Sequence, residues 1–201
     1  VDGLYRQKYA YPPETILSDT FFYQHTEEFF RFYREKMLVT DVRPNAAHEK
    51  LAQWEREGKL LAIVTQNIDG LHQKAGSKNV YELHGTIYKN HCIRCHRAYG
   101  VEYVQACKGV PRCECGGIVK PDVVLYGESL DSAVIDGSVR AIAAADLLIV
   151  GGTSLTVYPA AGLIDAYPGH RLVLVNKTAT GRDARADLVL RQPIGALFSG
   201  L

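Results

Sequence analysis

The sequence predicts an α/β fold, a doubly wound parallel sheet with a small cysteine-bearing insert. Three observations carry this expectation. Short apolar runs end in polar or glycine residues, as at Leu60–Val64 before Thr65-Gln66-Asn67 and at Leu147–Val150 before Gly151-Gly152. Buried parallel strands deliver their chains to the carboxyl edge of a sheet in this way. Helical stretches alternate with such runs beyond residue 130, the pattern of strands joined by crossover helices. Residues 86–120 break the pattern: they have little hydrophobic periodicity and contain all five cysteines.

In chain order, residues 1–17 are rich in Tyr and Pro (Tyr9, Tyr11, Pro12, Pro13) and read as an irregular lead-in. From Ser18 the pattern becomes helical. Phe21, Phe22, Phe29, Phe30, Phe32 and Tyr33 fall broadly on one side, with Glu27, Glu28, Arg31, Arg34 and Glu35 between them; such a stripe reads as core packing. A second helix is predicted over 46–57, after Pro44 and stopped by Gly58. Strands are predicted at Leu60–Val64, Val80–Leu83 and Val123–Tyr126. Then follow a helix over 132–145, strand Leu147–Val150, a helix over 160–166 and strand Leu172–Val175. The expected division is one sheet domain over 1–85 and 121–201, with residues 86–120 as the insert.

Composition narrows the functional classes. Of 201 residues, 47% are hydrophobic and 22% charged, which excludes wholesale disorder. The net charge of +1 argues against a broad footprint for nucleic acid or anionic membrane. No apolar run approaches the roughly 18–20 residues that span a bilayer. The first residues, Val1-Asp2-Gly3-Leu4-Tyr5, include no initiator Met and no basic-then-apolar leader. Clustered cysteines suit a metal in a reducing cytoplasm better than a secreted disulfide framework.

Cys92-x-x-Cys95 is followed by seventeen residues and then Cys113-x-Cys115-Gly116-Gly117. Two thiolate pairs at this separation match a four-cysteine tetrahedral zinc site, and a shell closed by four cysteines is structural, since catalytic zinc keeps an open position. Cys107, between the pairs, is an alternative ligand. His91 and His96 read as surface residues. The segment lacks the interleaved aromatic and basic residues used to stack on single strands.

The strand ends carry the chemistry. Gln66, Asn67, Asp69 and His72 follow one strand and His84 the next; a carboxylate and an imidazole at neighbouring strand ends can orient a ligand and take a proton from it. Gly151-Gly152-Thr153-Ser154 suits close backbone approach to a phosphate or ribose. Asn176 and Lys177 follow the next strand.

Taken in order, Thr65-Gln66-Asn67-Ile68-Asp69-Gly70-Leu71-His72, Glu82-Leu83-His84-Gly85, the cysteine module, Lys120-Pro121-Asp122-Val123-Val124-Leu125-Tyr126-Gly127-Glu128 and Gly152-Thr153-Ser154-Leu155-x-Val157-Tyr158-Pro159-Ala160-Ala161 resemble the sirtuins in a bacterial form. The resemblance covers essentially the whole chain. It implies a Rossmann-like NAD-binding domain with a small zinc-binding module, NAD and an acetylated lysine of a protein or peptide meeting between them. It implies NAD-dependent deacylation, releasing nicotinamide and O-acyl-ADP-ribose. By the same resemblance His84 is the general base that activates a ribose hydroxyl, and Gln66, Asn67, Ile68 and Asp69 line the ribose and nicotinamide pocket. Gly152, Thr153, Ser154, Asn176, Lys177 and Ile194 belong to the nucleotide side. Val124, Gly127 and Glu128, with Val157 opposite, clamp the substrate backbone as an added strand. His48 is structural support. Sirtuins open with a strand, a Gly-Ala-Gly turn and an Asp-Phe-Arg loop, which this sequence does not show. An alternative expectation is therefore a peptide- or partner-binding module with impaired turnover.

Overall fold

The computed structural model describes residues 10–201. It begins with helices α1 (Pro13–Ile16), α2 (Asp19–Gln24) and α3 (Thr26–Phe32), the last continuing as a π-helical turn over Tyr33–Met37, and then α4 (Ala46–Arg56). Strand β1 (Ile63–Thr65), α5 (Leu71–Lys74), β2 (Val80–Glu82), β3 (Gly85–Cys92) and β4 (Ala98–Gly100) follow. Next come α6 (Val101–Ala106), β5 (Val119–Val123), α7 (Ser132–Ala143) and β6 (Leu148–Gly151). A 3-10 helix (Ala160–Ala166), β7 (Leu172–Val175), β8 (Leu188–Leu190) and α8 (Ile194–Ser199) complete the order. The lead-in expected over 1–17 lies partly outside the described residues; within them, Pro13 starts a short helix at the position where its missing N–H costs nothing.

The chain forms two compact units. The first takes the residues up to Val42, Asn67–Gly70 and His84–Leu130. Its sheet is antiparallel, in the order β4-β3-β5, with Gly85 opposite Val123 and Cys92 opposite Val119. Ser18 starts α2 by accepting the Phe21 N–H on its hydroxyl, and His25 interrupts the helix before α3. This break lets the aromatic stripe wrap one core. Phe22 and Phe29 meet edge-on at 5.0 Å and Tyr33 stacks on Phe29 at 5.6 Å. Ile87 of β3, Val104 of α6, Val119 of β5 and Cys92 are buried in the same cluster. The segment around the cysteines thus shares its core with helices some sixty residues upstream, which local periodicity could not reveal.

The second unit takes Arg43–Gln66, Leu71–Leu83 and Asp131–Leu201. Its strands are parallel, as expected, in two sheets: β1-β2, and β6-β7-β8. Helix α7 begins on Asp131, whose carboxylate accepts the N–H groups of Ala133 and Val134. Gly137 lets this helix approach β2, because a Cβ there would stand 2.3 Å from the Tyr81 ring. Further along α7, Ile142 is buried with Ile164, Leu172 and Leu174, and Val64 of β1 packs against that cluster too. Among the described residues, no strand pairs with the second edge of β1 or of β6. Helices α4 and α8 dock through Trp54 and Phe198, whose rings lie 5.1 Å apart.

Two elements depart from the sequence reading. The run Val123–Tyr126 is not a strand of the parallel sheet. The strand ends at Val123 and pairs antiparallel with β3, and Tyr126 instead forms an isolated bridge with Ser18. The helix over 160–166 is 3-10, and β8 and α8, three and six residues long, are too short for a periodic signal. No helix among the described residues is long and apolar enough to cross a membrane.

Candidate active site and metal centre

The four sulfurs of Cys92, Cys95, Cys113 and Cys115 lie within 4.8 Å of one another, with Cys92 and Cys115 at 3.4 Å and Cys95 and Cys113 at 3.5 Å. Four thiolates at about 2.3 Å from one zinc ion sit about 3.8 Å apart, so the group fits a tetrahedral ion. All are free thiols. The backbone builds the cage. The His96 N–H donates to the Cys92 carbonyl, and the Cys113 N–H to the Gly117 carbonyl. A side chain at Gly117 would put its Cβ 2.6 Å from the Cys92 sulfur, which accounts for that glycine. The Tyr99 hydroxyl and then the Cys115 amide hold the Cys113 thiol down at about 6. Cys115, despite the Gly117 amide, is pushed up to about 12 by Cys92 and by burial. Thiols sharing protons in this way are a ready seat for a dication, which removes the protons. Cys107 is not among the four. His91 pairs with Asp122 and its ring faces His96 at 6.4 Å.

The polar residues after β1 and β2 leave neighbouring parallel strands. Thr65 stands opposite Glu82, and the Leu83 N–H donates to the Thr65 carbonyl. The chain leaves the second unit after Gln66 and again after Leu83. Asn67, Ile68 and Asp69 belong to the first unit, where the Ile68 carbonyl accepts the Ile87 N–H and Gly70 takes a positive φ of 64° against the Tyr88 ring. His84, half-buried, is followed by Gly85 at φ 72°; a Cβ at Gly85 would stand 1.8 Å from the Asp122 carbonyl oxygen. The His84 carbonyl accepts the Val124 N–H at 3.0 Å. Thus the imidazole-bearing residue and the start of the predicted peptide rim are hydrogen-bonded neighbours within one unit.

On the nucleotide side, the structure brings several predicted residues together at the carboxyl ends of β6, β7 and β8. Asn176 donates its side-chain amide to the Thr153 carbonyl at 3.0 Å. The Ile194 side chain covers Gly151, where a Cβ would meet its Cδ1 at 2.4 Å. Gly152 has φ 65°, with open space where a side chain would be, and Ser154 bonds to Thr156 at 2.7 Å. Lys177 and Val157 are exposed. The glycines, the open backbone and the amide form a cradle suited to a nucleotide. His48 caps α4 reciprocally with Asn45, and its ring lies tilted against that of His72 at 4.7 Å.

Sequence reasoning gave no role to Lys120. It is buried, and its ammonium bonds to Glu128 at 3.0 Å and to the carbonyls of Val123 and Pro121. A lysine one residue into a strand, followed by Pro and a later Glu, was the available signal.

Together the parallel strands with a glycine cradle and the four-thiol cage define an α/β protein of the dinucleotide-binding class carrying a metal module. A model of the Sir2 family matches residues 1–159, and the chain belongs to that family. It is 61% identical over 201 residues to an NAD-dependent protein deacetylase of Clostridium acetobutylicum, covering 98% of this chain and 82% of the relative. The corresponding deacetylase of Clostridium perfringens is 55% identical with the same coverage. Among solved structures, "Sir2-p53 peptide-NAD+" superposes with a TM-score of 0.87 at 36% identity, covering 98% of this chain and 85% of that one. A Sir2 homologue–NAD complex gives 0.88 at 35% identity, covering 95% and 76%.

Proposed function

We propose that the protein removes acetyl groups, and acyl groups more broadly, from lysines of proteins or peptides in an NAD-dependent reaction that releases nicotinamide and O-acyl-ADP-ribose. The observation that supports this most directly is His84, placed at the end of a strand, with its carbonyl bonded to the first residue of the predicted peptide segment. Bound NAD supplies an electrophilic ribose carbon once its bond to nicotinamide weakens.

The chain's own residues do the rest. Asn67 and Asp69, with Gln66 and Ile68, hold the ribose and nicotinamide end. Gly152, Thr153, Ser154, Asn176, Lys177 and Ile194 hold the nucleotide end. An imidazole nitrogen of His84 accepts the proton of a ribose hydroxyl, a task suited to a side chain that titrates near neutrality. Val124, Gly127 and Glu128, with Val157, offer backbone to an extended peptide. The four cysteines hold one zinc ion, whose contribution is to shape rather than chemistry. Clustered thiols support a reducing cytoplasm as the place of action.

The parallel strands outside residues 86–120 and the four-thiol cluster within them support the expectation of one NAD-binding domain over 1–85 and 121–201 with the metal module over 86–120. A second reading is a peptide- or partner-binding module with impaired turnover. Release of nicotinamide from NAD in the presence of an acetyl-lysine peptide separates the two. Turnover is expected, and His84→Ala is expected to lower its rate by roughly 10²–10⁴-fold. Turnover unchanged in that variant removes His84 from its role.

A further inference from the structure

Lys120 has no role assigned above, and Glu128 has only the place on the substrate clamp that the resemblance implies; the two form an ion pair whose lysine is buried in the first unit. The Lys120 side chain is 9% exposed and that of Glu128 27%. Its three N–H bonds all have acceptors: the Glu128 carboxylate at 3.0 Å, the Val123 carbonyl at 3.2 Å and the Pro121 carbonyl at 3.3 Å. The same Glu128 oxygen accepts the Leu125 N–H at 2.8 Å, and the Glu128 N–H returns to the Leu125 carbonyl at 3.0 Å. Residues 125–128 therefore form a turn closed twice, once by main chain and once by a charged side chain.

Gly127 makes the turn possible. Its φ is 96°, and a Cβ there would stand 2.6 Å from an Asp19 carboxylate oxygen. The flanks are tied as well. Tyr126 donates to the Leu17 carbonyl and accepts from the Asp19 N–H, both at 2.9 Å, and the Val124 N–H holds the His84 carbonyl. Val123, whose carbonyl is bound by the ammonium, is the last residue of β5 and stands opposite Gly85, the residue after His84.

We infer that Lys120 and Glu128 are positioning residues for the acyl-lysine peptide. The pair fixes the backbone of Val124–Gly127, and through the Val124–His84 and Val123–Gly85 contacts it fixes the register of the base against that backbone. Glu128 acts by this brace. Its carboxylate is committed to Lys120 and to the Leu125 amide, so it holds the segment that receives substrate without gripping substrate itself. An ion pair suits the task because its ammonium ties the strand end and the turn at three points, which an apolar pair of similar volume cannot do.

This inference rests on the proposed deacylase reading, and the experiment separates the two. Steady-state rates are measured with an acetyl-lysine peptide and NAD varied independently, for the wild type, Glu128→Gln, Lys120→Met and the double variant, with zinc content and circular dichroism checked for each. The expected result is a peptide KM raised roughly 10–100-fold, the scale of about 1 Å of misplacement, with the KM for NAD and the zinc content unchanged. The double variant is expected to lose no more than either single one, since both remove the same brace. Direct peptide binding followed by fluorescence anisotropy is expected to weaken in parallel. A loss with Glu128→Gln that Lys120→Met does not share would mean that Glu128 touches substrate directly, and would overturn the inference. Losses that multiply in the double variant would overturn it too. Should Lys120→Met fail to fold, Lys120→Gln takes its place: a peptide KM raised as in Glu128→Gln supports the brace, and a wild-type peptide KM or an equal weakening of KM for NAD refutes it. A wild type without turnover that still binds peptide fails the deacylase reading alone.

Discussion

The two units solve the same problem, burying a short sheet, by opposite means. In the first, an antiparallel sheet is closed by long-range side-chain contacts: a continuous aromatic cluster on one side and a thiol cage at one end. In the second, parallel strands pack against α7 and the 3-10 helix, α8 covers the end of β6 through Ile194, and each outer strand keeps an edge that no described strand pairs. Antiparallel hairpins can be stapled locally, whereas parallel strands rely on crossover helices and on neighbours from distant sequence. The contrast teaches where each kind of function belongs. The first unit, which carries the four-thiol cluster, ties His84 to Val124 and closes the turn at 125–128. The second unit carries the positive-φ glycine and the Asn176–Thr153 contact at the carboxyl ends of its strands.

The sharpest way to break this contrast is to remove the metal. Structural zinc contributes about 10–16 kcal/mol to small metal-dependent folds. Chelation, or Cys113→Ser with Cys115→Ser, is expected to release the ion and to abolish amide-exchange protection across β3 and β5 while β7 keeps its own. Loss of protection in β7 to the same extent would show the units to be one cooperative structure. Next in size come core truncations. Phe29→Ala, at a fully buried ring in contact with Phe22, Phe30 and Tyr33, should cost about 3–5 kcal/mol, and Leu174→Ala in β7 about 2–5. Denaturant titration of both variants tests whether the aromatic core is the stiffer of the two; a larger loss at Leu174 would reverse the comparison. The smallest effect is at a helix end. Asp131→Ala removes the cap of α7 and should cost about 1 kcal/mol, read as a lowered melting temperature with zinc content unchanged.

Much of the second unit was legible in the sequence. Leu172–Val175 and the helix from Ser132 fell where expected because apolar runs and caps are local signals, carried by a few adjacent residues. The cysteine spacing was equally local: each pair sits on one tight turn, and Gly116 and Gly117 mark the second. The strand at 119–123 was harder. Its residues run Val119-Lys120-Pro121-Asp122-Val123, and a lysine and an aspartate around a central proline hide this edge strand. Both are paired, the buried Lys120 with Glu128 and the partly exposed Asp122 with His91, and no periodicity reveals those partners.

By itself the sequence determined the chemistry available to this protein. It set four thiols at metal spacing, an imidazole after a strand, glycines where backbone must approach a ligand, and the order of motifs that marks the family. These are properties of residue type and short spacing, and they survive any arrangement of the rest. Tertiary structure alone decided how those groups are held. It joined the aromatic helices to the metal-bearing sheet, set Val124 against the carbonyl of His84, and turned Glu128 inward to Lys120. Each of these depends on contacts between residues far apart in the chain, where the free energy of burial, and not local propensity, selects the partner.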